Sequence, residues 1–379
     1  MLVSAPVRAL AGPEFDLHGL VGIRVLGADP RDEAAVARQL GPTRAALRGE
    51  PDIVVRFVDR LETSSPLRYL GRGEAAFTED AFLVLRGKHK AATRVAIPFH
   101  EVGGRIEIVC ERGVPAVPFL IPIVNMTVLA KGALPLHASA FVHEGTGVVA
   151  AGWSKGGKTE ALLAFAGAGA EYVGDEWVYV SADGRYVHGI PEPIRLWNWH
   201  LRQLPHARGV VGTGERARLR ALEGAAGPLE ALRRERARSP RLARAAGRLG
   251  ALLEKQLYVD VPPETLFGPL GTLSAPFDRL FFLVTGDEPE ISVEPVDALD
   301  VARRMASSLE HERLDFAAAY LKFRFAFPAL SSDLVEGASA LEREALERLL
   351  VGKPAYVVRH PYPFSLLELY EAMSPYCRD

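Results

Sequence analysis

The octet Gly152-Trp153-Ser154-Lys155-Gly156-Gly157-Lys158-Thr159 fits the pattern G-x-x-x-x-G-K-[ST] of a phosphate-binding P-loop, or Walker A motif. Each residue type has a physical reason to be there. Glycines let main-chain N–H groups turn inward onto phosphate oxygens, and the N-terminus of a following helix adds the positive end of its dipole. Lys158 would meet the terminal phosphates, and Thr159 would set its hydroxyl on Mg²⁺. Gly152, Ser154, Lys155, Gly156 and Gly157 complete the candidate nucleotide-binding set. From the chain's own residue frequencies the pattern should arise about 0.01 times by chance, so accident explains it poorly.

Such a loop serves ATPases, GTPases and kinases alike, and its neighbours decide the reaction. Asp175 and Glu176 follow the strand-like run Glu171 to Val173, where carboxylates at a strand end can face phosphates. A pair of this kind can bind Mg²⁺ and take a proton from an acceptor hydroxyl. The plainer alternative is a solvated turn, Gly174-Asp175-Glu176, ahead of a hairpin.

The loop needs a strand before it and a helix after it. Gly147 to Ala151 has a buried-strand pattern and Glu160 to Phe165 a helical one. Further strands are expected at Ala138 to Phe141, Trp177 to Val180, Tyr186 to Ile190 around the turn Asp183-Gly184, Leu280 to Val284, Ile291 to Glu294 and Tyr356 to Arg359. Helices are expected at Leu299 to Leu309, Leu314 to Phe323, Ala340 to Leu350 and Ser365 to Met373. Earlier in the chain short β-like runs dominate, Ile53 to Val58, Ala81 to Leu85 and Arg105 to Cys110, with a short helix at Asp32 to Leu40 and a hairpin turn at Gly103-Gly104. The expected class is therefore α/β (α+β). A small N-terminal α+β domain would cover residues 1–125. A P-loop domain with a mixed sheet and flanking helices would cover 126–379, carrying an arginine-rich helical insertion at 206–256.

Three segments together resemble a known family. Leu136-His137-Ala138-Ser139-Ala140, the P-loop, and Tyr172-Val173-Gly174-Asp175-Glu176 are similar, in order and spacing, to the nucleotide-binding core of the HPr kinase/phosphorylase family and, more distantly, of ATP-type phosphoenolpyruvate carboxykinases. The resemblance covers residues 130–200 closely and the alternating elements out to about Met373 in general layout. It implies an HPr kinase-like P-loop fold, ATP and Mg²⁺ as cofactors, and a kinase acting on a hydroxyl of a protein, a peptide or a small molecule. It also implies a catalytic group of His137, Lys158, Asp175 and Glu176, with Thr159, Asp175 and Glu176 near the metal, and it places Arg195 on a loop close to the site. Departures are Lys155 in place of a glycine, Glu160 in place of a serine or threonine, and Glu176 in place of a second aspartate. No tail for binding HPr is recognisable, and the chain is shorter than the carboxykinases and lacks their oxaloacetate-binding elements.

Composition bounds what else the chain can be. Over 379 residues, 48% are hydrophobic, 24% are charged and the net charge is −2, a folded-protein profile with no whole-chain attraction to nucleic acid or membrane. Residues 206–255 hold 12 basic and 5 acidic side chains but no aromatic ring for base stacking, which argues against nucleic acid and leaves a solvated helical segment or, as the alternative, a cover over the site that attracts an anionic acceptor. Two cysteines, Cys110 and Cys377, are too few for a disulfide framework or a cysteine-based metal cluster. The uncharged run Gly113 to Ala130 is broken by Pro115, Pro118 and Pro122, so a strand or turn followed by a core helix is expected there rather than a membrane span. With no signal-peptide pattern at the start, a cytoplasmic location is expected. The expected function is an ATP-dependent kinase, the alternative a nucleotide-binding regulatory protein with little turnover, and the choice between monomer and homo-oligomer stays open.

Overall fold

Strict alternation of apolar and polar residues builds the first sheet. In β2 (Val21–Leu26), β3 (Ile53–Val58) and β8 (Ile106–Glu111) every second side chain is buried, as a sheet covered on one face requires. In the computed structural model, which describes residues 11–41, 45–87, 92–204, 209, 211–222, 224 and 258–378, these strands join β1 (Ala11–Leu17), β4 (Arg68–Leu70), β5 (Ala75–Phe77), β6 (Phe82–Arg86) and β7 (Ala92–Ala96). The order is β1-β2-β3-β8-β7-β6-β5-β4, with β2, β3 and β8 parallel and the other pairings antiparallel. Helix α1 (Pro30–Leu40) crosses between β2 and β3, started by the side chain of Asp29, which accepts from the N–H groups of Arg31 and Asp32.

Helix α2 (Leu120–Ala130) is apolar all round and buried along most of its length. Pro122 is tolerated because it stands in the first turn, where its missing N–H is not needed. No strand precedes this helix within 113–119. The division expected between residues 125 and 126 falls inside α2, whose Leu120, Ile123, Val124, Met126 and Val128 all belong to the core of the first sheet. Gly103-Gly104 lies in the connection between the antiparallel strands β7 and β8, as a hairpin there requires, with Gly103 at φ 90°. A 3-10 turn at Phe99–Glu101 lies between β7 and β8, and Gly104 N–H bonds back to the Glu101 carbonyl.

The second half is a three-layer α/β arrangement. Strands β10 (Ala138–His143), β11 (Thr146–Gly152), β12 (Glu171–Gly174), β18 (Arg279–Thr285), β19 (Ser292–Pro295) and β20 (Ala355–His360) form a mixed sheet in the order β12-β10-β11-β18-β20-β19. Within it β11, β18 and β20 run parallel, while β10, β12 and β19 run against their neighbours. Alternate residues of β11 go to opposite faces. Val148 and Ala150 pack with α3 (Lys158–Ala166) and α9 (Leu366–Met373), and Val149 and Ala151 pack with α6 (Ala298–Glu312) and α8 (Asp333–Leu350). Two smaller sheets border it: β9 (Leu134–Leu136), β13 (Val178–Val180), β14 (Tyr186–Gly189) and β17 (Ser274–Pro276) in one, β15 (Ile194–Trp197) and β16 (Tyr258–Val261) in the other.

Helices α4 (Asn198–Gln203), α5 (Glu264–Phe267) and α7 (Leu314–Ala326) complete the described elements used below. Most of the arginine-rich segment expected at 206–256 lies outside the described residues. Among the described residues no helix is long and apolar enough to cross a membrane.

Candidate functional site

The carboxyl end of a central parallel strand is where an open α/β sheet binds its ligands, and β11 delivers Gly152 there. The chain then turns through residues 153–157, with Gly156 N–H bonded to the Trp153 carbonyl at 3.0 Å, and enters α3 at Lys158. Gly157 caps this helix at φ 101°, a backbone region open to glycine. A Cβ there would stand 2.8 Å from Nε2 of His360. That histidine is fully buried and its Nε2 lies 3.0 Å from the Gly156 carbonyl, so the end of β20 braces the loop from below. Lys155 at the tip also has positive φ, 61°, and is exposed.

Lys158 is buried at the first position of α3, its Nζ donating to the Trp153 carbonyl at 3.0 Å. Burial pushes its pKa down, against the pull of Glu176, Asp175, Glu312 and Glu160. Ser139 in β10 donates its hydroxyl to the Lys158 carbonyl at 2.7 Å, tying the neighbouring strand to the first turn of the helix.

The next residue reaches across to the acidic pair. Thr159 Oγ1 donates to Asp175 at 3.0 and 3.2 Å to its two carboxylate oxygens. Asp175 and Glu176 form the tight turn between β12 and β13, with Trp177 N–H bonded to the Asp175 carbonyl at 2.8 Å and Glu176 at φ 66°. The two acids differ sharply. Burial first, and then the charge of Glu176, raise the pKa of Asp175. Burial would raise Glu176 as well, but the hydrogen bond and charge of His137, with Arg195 and Lys158, outweigh it and hold Glu176 low.

His137, between β9 and β10, is buried with Nε2 3.1 Å from Glu176 and its ring tilted against Trp177, centroids 5.4 Å apart. Its Nδ1 stands 3.2 Å from Oε1 of Glu312, the last residue of α6. That approach is electrostatic rather than a hydrogen bond, because neither atom has a hydrogen-bond partner. Burial opposes protonation of His137, but contacts with Glu176 and Glu312 prevail and raise its pKa. On the outer side Arg195 in β15 donates to Glu176 at 3.3 Å and lies over the Tyr258 ring.

His137, Lys158, Thr159, Asp175 and Glu176, separated by up to 39 residues in sequence, thus meet in one cluster, with Gly152, Ser154, Lys155, Gly156 and Gly157 forming the turn above it. Glu160, where the resemblance expects a hydroxyl, instead lies beside His200 Nε2 at 3.2 Å, and that histidine accepts on Nδ1 from the Trp197 N–H. Sequence reasoning missed Glu312, His311, Ser308 and His360. Ser308 donates to the Gly152 carbonyl at 3.4 Å, and His311 stacks on the half-exposed Trp153 with centroids 4.9 Å apart.

Hard oxygen donors suited to Mg²⁺ stand together in the Thr159 hydroxyl and the Asp175 carboxylate, while the two oxygens of Glu176, next in the chain, are engaged by His137 and Arg195. Among the described residues no group of three or more His, Cys, Asp or Glu is arranged to hold a metal. A magnesium ion here would therefore draw its remaining ligands from phosphate oxygens and water, as is usual for this ion. No family model and no curated protein matches the chain.

Proposed function

We propose that this protein is an ATP- and Mg²⁺-dependent kinase that transfers the γ-phosphoryl group to a hydroxyl of a protein, peptide or small molecule. The observation that carries the reading is the 3.0 Å contact between Thr159 Oγ1 and Asp175, which sets an acidic pair directly beside the strand-turn-helix at Gly152 to Thr159. The resemblance of the three motifs to the HPr kinase/phosphorylase core supports it.

In this reading the main-chain N–H groups of the turn and the α3 dipole receive the phosphates, and the Lys158 ammonium exchanges its bond to the Trp153 carbonyl for a phosphate oxygen. Thr159 and a carboxylate of the acidic pair would hold the magnesium ion, which supplies neutralisation of phosphate charge. The acceptor oxygen forms a bond to the γ-phosphorus as the bond to the bridging oxygen breaks, and ADP leaves with that electron pair. The hydroxyl proton goes to Asp175, the acid whose burial beside Glu176 raises its proton affinity. Glu176 stays ionised between His137 and Arg195. Arg195 is exposed enough to meet an incoming anionic group.

The test is formation of ADP and phosphorylated product from ATP with wild type, Lys158→Ala and Asp175→Asn. Both variants are expected to lose about 100-fold or more in turnover, the scale of removing one preorganised charge or proton acceptor. Equal activity in all three would overturn the reading. Tight ATP binding with no product would favour a nucleotide-binding regulator in its place.

A further inference from the structure

We propose that Glu312 is a positioning residue that holds His137 against the phosphate loop from the side opposite Glu176 and couples the end of α6 to that loop; the inference rests on the kinase reading above. Three side chains from one face of α6 reach the loop and its surroundings. Ser308 donates to the Gly152 carbonyl, His311 stacks on Trp153, and Glu312 faces both His137 and Ser154. Positions 308, 311 and 312 are i, i+3 and i+4, so a single helical face runs along the turn.

Stability alone does not explain a glutamate here. A carboxylate in the last turn of a helix meets the negative end of its dipole. Its Oε1 is buried without a hydrogen-bond partner. It also adds negative charge beside Lys158, in the place where a triphosphate is to bind. The helix-end position and the charge beside Lys158 oppose folding or ligand binding, and what offsets them is the contact with His137, which holds the Glu312 carboxyl below its usual range and fixes the ring. The ring has one nitrogen 3.1 Å from Glu176 at the turn after β12 and the other 3.2 Å from Glu312 at the end of α6, so two elements meet on this one ring. Catalytic contacts are often long or poorly aligned before substrate binds and tighten only in its complex.

The role separates binding from turnover. Replacing Glu312 by glutamine keeps its shape but removes a negative charge facing Lys158, so the nucleotide should bind more tightly, by about threefold. It also loosens His137, so phosphoryl transfer should slow by about tenfold or more. The experiment measures Mg-ATP affinity by calorimetry and ADP production by the full chain for wild type, Glu312→Gln and Glu312→Asp, with melting midpoints alongside. Expected are tighter binding and lower kcat in Glu312→Gln and partial recovery of kcat in Glu312→Asp, with melting midpoints close to that of wild type. A variant matching wild type in both constants, or one losing affinity, kcat and melting temperature together, overturns the positioning role and leaves the kinase reading standing. A wild type that binds no ATP, or binds it and forms no ADP, overturns the kinase reading and this inference with it.

Discussion

Gly157 shows how a single residue ties backbone strain to chemistry. Its φ of 101° and the 2.8 Å gap between a Cβ there and His360 Nε2 mean that Gly157→Ala meets two penalties at one atom. The left-handed backbone costs about 1 to 2 kcal/mol for an alanine, and relief of the clash requires His360 to leave the Gly156 carbonyl. Denaturant unfolding of Gly157→Ala should therefore show a loss of about 2 kcal/mol or somewhat more, and a variant as stable as wild type would refute the strain. Glycines and the lysine of the loop were legible in the sequence because the turn admits few alternatives. Glu312 was not. In Glu310-His311-Glu312-Arg313 the charges read as the solvated end of a helix, and its partner His137 lies 175 residues away, with no local pattern to connect them.

Elements follow the same division between local and distant causes. Expected strands at 53–58, 147–152 and 280–284 and the helix after the loop coincide with β3, β11, β18 and α3, since alternation and helical spacing are properties of a short window. Ends were harder, because they depend on caps. The helix expected from Ala340 begins at Asp333, where Ser332 accepts from the Val335 N–H, and its first turns are too weakly apolar to stand out. Removing that cap with Ser332→Ala should cost about 1 kcal/mol. Loss of the Ser332 hydroxyl leaves the bond from its N–H to Tyr320 intact, so the effect belongs to α8 alone and should appear as faster amide exchange in residues 333–336. Unchanged exchange there would show that the cap is idle. The hairpin expected at Gly103-Gly104 does join β7 to β8, but its connection is longer than two glycines announce, because it includes the 3-10 turn at Phe99–Glu101, whose Phe99 packs on Phe316 and Phe323 more than 200 residues away.

At the scale of the molecule, the two halves are joined more closely than a change of sequence texture at residue 125 suggests. Helix α7, from the far end of the chain, sends Phe316, Tyr320 and Phe323 into the core of the first sheet. A second junction is polar. His18, in the turn between β1 and β2, places Nε2 2.7 Å from the Gly189 carbonyl, so that nitrogen carries the proton. Its Nδ1 is then the acceptor for the Ser274 hydroxyl at 3.2 Å, and His188 Nδ1 donates to the same oxygen at 2.8 Å. The rings of His18 and His188 stack 4.9 Å apart, with Tyr186 on the outer side of His188. Burial lowers both pKa values, that of His188 to about 4, with Asp16 and Asp183 pulling weakly the other way. The folded values lie below the unfolded value of about 6.5, so the unfolded chain binds more protons as the pH falls. Stability from this junction is therefore present above pH about 6.5 and drains away as the pH drops toward about 4. An added proton on His18 Nδ1 would also turn a donor toward the Ser274 hydroxyl hydrogen and break the relay. Since other groups titrate in the same interval, the measurement is a difference: denaturant midpoints at several pH values for wild type and His188→Gln. Wild type should lose more stability between pH 6.5 and 4.5 than the variant, and parallel curves would mean that the stacked pair contributes nothing to how the first sheet is held.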